Sequence, residues 1–259
     1  MSPARLRAVL ASDARRVSRD GLLAWAVAIP LVLALAARLC APDAVELLEA
    51  RSVEVSAWLP LLDALAFAVV VPIMMGVVIG IMLVEEKQDG SWEALAVTPM
   101  SLSGYLAWRS AGCAVMGAVA SLAGLQVSGL SALGAAEAAV VAVGAAPLAA
   151  VTAMALACLA RSMTQCLAAV KLAMVLSAIP AIGLIGSPVG PGPAAMPEGM
   201  AALQIQQWSL LLALIPSWWP LKVYEAAASG GQAAAHLLVS WLLAMACTVM
   251  AVHRAGRGQ

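Results

Sequence analysis

Six long runs of apolar residues dominate this chain of 259 residues. Each run is close to the about 20 helical residues that cross the hydrocarbon core of a bilayer. The runs are continuously apolar rather than alternating, which favours helices over barrel strands, and only these two structures satisfy every backbone group in lipid. The sequence therefore predicts an all-α polytopic membrane protein with six transmembrane helices, at residues 22–39, 59–84, 110–133, 136–160, 167–185 and 233–252.

The composition excludes a soluble globule. Charged residues make up 11% of the chain and hydrophobic residues 63%, whereas soluble domains carry about 25% charged residues to coat their surface. A seventh apolar stretch, residues 208–221, is shorter and is interrupted by Pro216 and Pro220. Its length favours an interfacial or re-entrant piece, so residues 186–232 are predicted to form an outer segment of broken helices before the last span.

The basic residues indicate the orientation of the six helices. With an even number of spans both termini share one side, and most of the 14 Lys and Arg residues fall there. The positive-inside rule then places both termini in the cytoplasm of a multi-pass membrane protein. The eleven basic residues on that side are Arg5, Arg7, Arg15, Arg16, Arg19, Lys87, Arg109, Arg161, Lys171, Arg254 and Arg257.

Residues 1–20 have the pattern of a helix that lies in the membrane interface. At helical spacing, Leu6, Val9, Leu10 and Val17 share one face, and arginines occupy most of the rest. Such a helix places apolar side chains in the lipid and cations against phosphates. A plain basic flank to the first span is the alternative, and the sequence leaves it open.

No enzyme motif is present. The chain has no G-x-x-x-x-G-K-[ST], H-E-x-x-H or G-x-S-x-G sequence, and its five cysteines and two histidines lack metal-ligand spacing. We therefore expect no catalytic residue, no metal and no nucleic-acid partner. Asp63, Glu137 and Lys171 lie near the ends of spans and are interpreted as interfacial anchors that reach water, with an ion or proton relay as the alternative.

Glycine spacing in the second span has two interpretations. The stretch from Gly76 to Gly80 is a G-x-x-x-G sequence, which lets helices approach closely. It is compatible with packing inside the chain and with a dimer contact.

The segment from residue 84 to residue 109 is the longest predicted cytoplasmic loop and is unusually polar. Gly90 breaks the preceding helix, Ser91 can cap a new one, and Pro99 disfavours helix at Thr98. Ser101 or Ser103 can then cap the helix that re-enters the membrane. The pattern predicts a short amphipathic helix that exposes Trp92 and Leu95 to a partner, because exposed Trp residues often anchor interfaces.

This loop resembles the one in the permeases of ABC-2 type transporters. The family pattern has charged residues after the second span, a glycine with a small hydroxyl residue, E-x-L, a T-P pair, and an aromatic and basic re-entry. Ser91 replaces a more usual threonine, Gln88 stands where a basic residue is common, and Trp219 replaces a common asparagine. The matching residues are Glu86, Lys87, Gly90, Ser91, Glu93, Leu95, Thr98, Pro99, Tyr105 and Arg109.

The resemblance covers residues 1–259 as one transmembrane domain and implies how it works. Residues 85–109, the coupling segment, would dock into a separate nucleotide-binding subunit that holds ATP and Mg, and a second permease would complete the pore as a homodimer or heterodimer. No cofactor is expected in this chain. The residues that the resemblance assigns to coupling are Glu86, Lys87, Gly90, Ser91, Trp92, Glu93, Leu95, Thr98 and Pro99.

The substrate is inferred from the pore rather than from a motif. An apolar pore with few charges favours an amphiphilic drug or antibiotic, and the chain looks like actinobacterial permeases that export antibiotics, including fluoroquinolones, across the cell membrane. Export of lipids or polymer precursors is the next alternative. An ion-coupled secondary transporter based on Asp63 and Glu137, and a membrane scaffold, are alternatives from other classes. The sequence does not identify the substrate-binding residues.

Overall fold

The computed structural model describes residues 21–51, 55–92, 101–185, 187, 189–190 and 209–257. The predicted N-terminal interfacial helix, at residues 1–20, lies outside the described residues, as do Glu93, Leu95, Thr98 and Pro99 of the coupling segment. Every regular element in the described ranges is helical, which confirms the predicted all-α class.

Seven helices carry the architecture. They are α1 (Gly21–Glu49), α2 (Ser56–Gln88), α3 (Leu102–Ser128), α4 (Ala135–Leu159), α5 (Met163–Leu184), α6 (Trp218–Ala228) and α7 (Ala234–Arg257). Five of them are long and apolar enough to cross a membrane, namely α1 from Val27 onward and α2 to α5. The apolar part of α7, Ala234–Met250, is shorter. These helices confirm the polytopic membrane fold.

The outer segment contains the predicted broken helical pieces. A single turn at Ser209–Leu212 precedes α6, which begins directly after Ser217. Trp218, Leu221 and Tyr224 of α6 are buried against the bundle. The segment therefore returns into the protein before α7 begins.

Helices do not end where the apolar runs end. The first apolar run stops near Arg38, but α1 continues to Glu49 because a helix needs no hydrocarbon around its last turns. α3 ends five residues before its apolar run does, because Gly129 adopts a left-handed conformation with φ of 64°. Only glycine adopts this conformation without steric cost.

α2 and α4 form the centre of the bundle, and α4 also packs against α3, α6 and α7. Small residues permit the close approach of α2 and α4. A Cβ atom added at Gly76 would lie 2.5 Å from the carbonyl oxygen of Ala149, and one at Gly80 would lie 2.7 Å from Leu156. The G-x-x-x-G sequence is thus used for packing inside the chain.

Asp63 is followed by a change in the hydrogen-bond pattern of α2. Residues Ala64–Val70 form a π-helix, after which Val71–Gln88 returns to the α-helical pattern. π-Helical turns are rare and occur often at functional sites. The ring of Phe67, in this stretch, packs against the backbone of Gly124 in α3, where the absence of a side chain leaves room for it.

We predict that Gly76→Ala destabilises the bundle by about 1–3 kcal/mol, because the added methyl group has no room against the backbone of α4. The measurement is the midpoint of thermal unfolding of the purified chain in detergent. Gly112→Ala is the matched control, since nothing lies within 4 Å of a Cβ at Gly112. Equal midpoints for the two variants would contradict the close contact.

Candidate functional site

Three polar side chains join the last turn of α2 to the first turns of α3. They are Glu86, Tyr105 and Arg109, which we call the Glu86 cluster. The hydroxyl of Tyr105 donates to Oε2 of Glu86 at 2.6 Å and accepts from Nε of Arg109 at 2.8 Å. Nη2 of Arg109 forms an ion pair with Oε1 of Glu86. Arg109 is 5% exposed and Glu86 13% exposed. This cluster therefore holds α2 and α3 together and joins the two ends of the coupling segment.

The next two residues of α2 contact the end of α4 and the turn that follows it. Nζ of Lys87 donates to the carbonyl oxygen of Ala157 at 3.3 Å, where the helix dipole favours a cation. Nε2 of Gln88 donates to the carbonyl oxygen of Arg161, also at 3.3 Å. Three successive residues thus connect the end of α2 to α3, to α4 and to the turn between α4 and α5.

The chain reverses at Gly90 as the sequence predicts. Gly90 has φ of 70°, and its amide donates to the carbonyl oxygen of Lys87 at 3.4 Å. Ser91 and Trp92 then take up helical backbone. At the other end of the coupling segment, the hydroxyl of Ser101 accepts from the amide of Gly104 at 3.2 Å. Of the two predicted caps for α3, the structure uses Ser101.

Trp92 corrects one expectation. The side chain was expected to be exposed to a partner, but it is only 6% exposed and packs in an apolar cluster with Met82, Leu83 and Leu106. Nζ of Lys87 lies 5.4 Å from the centre of its ring, within range of a cation–π interaction. The prediction was wrong because the hydropathy of the residues in a turn does not show how the neighbouring helices pack. Here α2 and α3 leave an apolar recess that receives the side chain of Trp92.

The structure places five of the nine predicted coupling residues: Glu86, Lys87, Gly90, Ser91 and Trp92. Four of these have the contacts given above, and Ser91 is exposed. The assignment of these residues to coupling stays a prediction.

Asp63 corrects a second expectation. It was interpreted as an anchor that reaches water, but it is fully buried. Its Oδ1 accepts from Ser128 at 2.8 Å, and its Oδ2 accepts from Ser131 at 2.7 Å and from Tyr224 at 2.8 Å. These four residues form the Asp63 cluster, which joins the start of α2, the end of α3 and α6.

The other two charged residues near span ends are exposed, as expected of interfacial anchors. Glu137 accepts from the amide of Gly134 at 2.7 Å and so caps the first turn of α4. The side chain of Lys171 is on the exposed surface of α5.

Sequence reasoning missed both clusters as units. Tyr105 and Arg109 are four residues apart and therefore share a helix face, which was an available signal for the Glu86 cluster. Asp63 and Tyr224 are 161 residues apart in the chain. No local pattern connects them.

A comparison with protein families decides the class of this chain. The profile of the family described as "Fluoroquinolones export permease protein Rv2686c-like" matches residues 13–190, more than half of the chain. The chain belongs to this family. Comparisons with curated proteins and with solved structures give no significant match.

Membership in the Rv2686c-like family establishes a membrane-embedded export permease and confirms the suspected resemblance to antibiotic export permeases. The matched range contains α1 to α5, with both polar clusters except Tyr224. The two clusters therefore lie in the part of the permease on which the family assignment rests.

In the Glu86 cluster, we predict that Arg109→Gln lowers stability by about 3–5 kcal/mol, because it breaks an ion pair between two largely buried side chains. Tyr105→Phe removes hydrogen bonds but keeps the ion pair, so its effect should be smaller. The measurement is the thermal unfolding midpoint of the detergent-purified permease. Arg161→Gln, at an exposed position, is the control and should leave the midpoint unchanged.

In the Asp63 cluster, we predict that Tyr224→Phe loosens α6 from the bundle. The lost hydrogen bond to a carboxyl group is worth about 1.5–3 kcal/mol if the carboxyl is ionised, and amide hydrogen exchange in residues 218–228 should accelerate. Ser229→Ala is the control, because the hydroxyl of Ser229 donates to carbonyl oxygens in its own helix. Unchanged exchange in Tyr224→Phe would show that the cluster does not hold α6.

Proposed function

We propose that this chain is the transmembrane permease subunit of an ATP-binding cassette exporter, and that it moves an amphiphilic drug or antibiotic out of the cell with energy from a separate ATP-hydrolysing subunit. Family membership supports export of fluoroquinolone-type compounds. The resemblance of the coupling segment to that of ABC-2 permeases supports the use of ATP, because the chain lacks a phosphate-binding loop of its own.

Contacts in the structure support a common side for the parts that face the motor. The ends of α2 and α4 meet through Lys87 and Ala157, and a cavity of about 480 Å³ is lined jointly by Ser101, Gly104, Thr248 and His253. The coupling segment, the turn between α4 and α5, and the last turns of α7 therefore lie together. The basic residues of these regions favour a location on the cytoplasmic side of the cell membrane. Both termini would lie on that side.

The observation that carries the coupling proposal is the attachment of Glu86, Lys87 and Gln88 to three different parts of the bundle. A force applied to the segment after Gly90 is passed to α2, α3 and α4 together, because the last turn of α2 is connected to each of them. In this proposal buried Trp92 fixes the segment to the permease. The surface that docks on the ATPase would then lie in residues 93–100.

The proposed partners are the nucleotide-binding subunit, which holds ATP and Mg, and a second permease. α1 and α5 expose many apolar side chains, including Leu31, Leu35, Leu172 and Val175. In a membrane these faces contact lipid or a second permease, and both contacts are compatible with the exposed surfaces.

One observation favours an alternative function. Buried ionisable groups in spans often belong to ion or proton pathways, and Asp63 is such a group. Glu137, the second residue of that hypothesis, is exposed and caps its own helix, so only Asp63 supports an ion-coupled transporter. The two functions differ in their energy source, which can be measured.

For the coupling role, we predict that Glu93→Lys abolishes ATP-dependent uptake of a fluoroquinolone into inside-out vesicles while the permease stays in the membrane. The reversed charge would oppose both the positive end of the predicted helix and its docking surface. Vesicles containing the permease and the co-expressed ATPase are used, with fluorescence as the measure of uptake. Glu49→Lys, at an exposed position in the last turn of α1, is the control and should leave uptake intact.

Two results would overturn the proposed function. One is ATP-dependent uptake at the normal rate in the Glu93→Lys vesicles, which would remove the coupling role of the segment. The other is full uptake driven by an ion gradient without nucleotide, which would favour the ion-coupled alternative. Copurification of the permease with a nucleotide-binding subunit supports the proposal independently.

A further inference from the structure

A cavity of about 420 Å³ lies between α1, the start of α2 and the end of α3. Its walls include Arg38, Ala41 and Val45 of α1, Leu59 of α2, and Ser128 and Leu130 at the end of α3. The volume falls within the roughly 300–1,000 Å³ of small-molecule sites. We call it the Arg38 cavity.

Arg38 is the only ionisable residue among the described residues that line this cavity. Its Nη1 donates to the carbonyl oxygen of Val127 at 3.4 Å, a long contact that uses one of five N–H donors. Within the described ranges no carboxylate forms an ion pair with it. Arg38 is exposed at the mouth of the cavity, and a guanidinium beside apolar walls matches a planar carboxylate or a phosphate, because its N–H groups can donate to two oxygens at once.

The nearby acidic residues do not neutralise this charge. Asp43 and Glu46 follow Arg38 in α1, but neither lines the cavity. The carboxyl oxygens of Asp63 accept from Ser128, Ser131 and Tyr224. Asp63 thereby holds Ser128, and the cavity wall that Ser128 forms, in position without occupying the guanidinium.

Arg38 lies one residue before the end of the first apolar run, residues 22–39, and is exposed. A long arginine side chain at the end of a span can reach the membrane interface, where the charged head group of an amphiphile also lies. Capping the carbonyl groups at the end of α3 uses only the contact to Val127.

We propose that the Arg38 cavity binds an amphiphile by its anionic head group, with the guanidinium pairing to a carboxylate or phosphate and the apolar body lying along Ala41, Val45 and Leu59. This inference rests on the proposed function, since it names the chemistry of the exported compound. A carboxylated drug and an anionic lipid share this chemistry. The experiment separates them.

The test is a binding measurement on the full-length permease in phosphatidylcholine nanodiscs, without nucleotide or ATPase. The probes are the fluoroquinolone ciprofloxacin, which carries a carboxylate, and its ethyl ester, which does not. Arg38→Gln should weaken binding of the acid about tenfold, the expected loss for a charge-assisted hydrogen bond, and leave the ester unchanged. Arg38→Lys should retain part of the affinity, and Arg51→Gln, which changes an exposed arginine outside the cavity, should retain all of it.

A second variant keeps the test informative if Arg38→Gln does not fold. Ala41→Phe fills the cavity from α1 while keeping the guanidinium, so it should weaken binding of both the acid and the ester. Full binding of both probes by Ala41→Phe, together with an unchanged effect of phosphatidylglycerol on its unfolding midpoint, would overturn the proposal. So would equal weakening of acid and ester by Arg38→Gln.

The lipid arm repeats the measurement in nanodiscs that also contain phosphatidylglycerol. If Arg38→Gln removes a rise in the unfolding midpoint caused by phosphatidylglycerol but does not change drug binding, the anionic ligand is the lipid head group and the site stands. If neither phosphatidylglycerol nor the acid responds to Arg38→Gln, Arg38 only caps α3 and the proposal fails. Because no nucleotide is present, these results are independent of ATP coupling, which the vesicle assay tests.

Discussion

The close packing of α2 on α4 is the constraint on which the other features depend. Gly76 and Gly80 remove the side chains that would separate the helices, so the backbone of α2 rests on Ala149 and on the Cβ of Leu156. In lipid there is little hydrophobic drive between helices, and close van der Waals contact is a principal source of their association. Because the two axes are this near, the ends of α2 and α4 meet, and Lys87 reaches the carbonyl oxygen of Ala157.

α2 is consequently attached at both ends by polar groups. The Glu86 cluster joins one end to α3, and the Asp63 cluster joins the other end to α3 and α6. Between them lies the π-helical stretch Ala64–Val70, where the hydrogen-bond pattern departs from the α-helix. In the proposed mechanism, a helix attached in this way would pass a displacement from one side of the membrane to the other. π-Helical turns occur often at functional sites.

The burial of Trp92 changes which residues of the coupling segment are expected to contact the ATPase and which attach the segment to the permease. An exposed tryptophan would be a contact for the ATPase, whereas a buried one between α2 and α3 connects the turn to the bundle. In the proposed coupling role, contact with a motor and attachment to the permease would be carried by different residues. This arrangement suits transmission of force, because a docking surface is useful only if its base does not move independently.

The sequence by itself determined the fold class and several of the residues at which helices begin and end. Continuous apolar runs predict membrane helices, and the left-handed turn at Gly90 and the cap at Ser101 follow from the chemistry of glycine and serine alone. Only the tertiary structure decided which polar residues are buried together. Asp63 and Tyr224, or Arg38 and Val127, meet because helix packing brings distant parts of the chain side by side. Hydropathy indicates how costly a polar or charged side chain is in lipid, but not which partner it finds in the folded chain. Sequence reasoning therefore placed Asp63 and Trp92 at the surface, whereas the fold buries both.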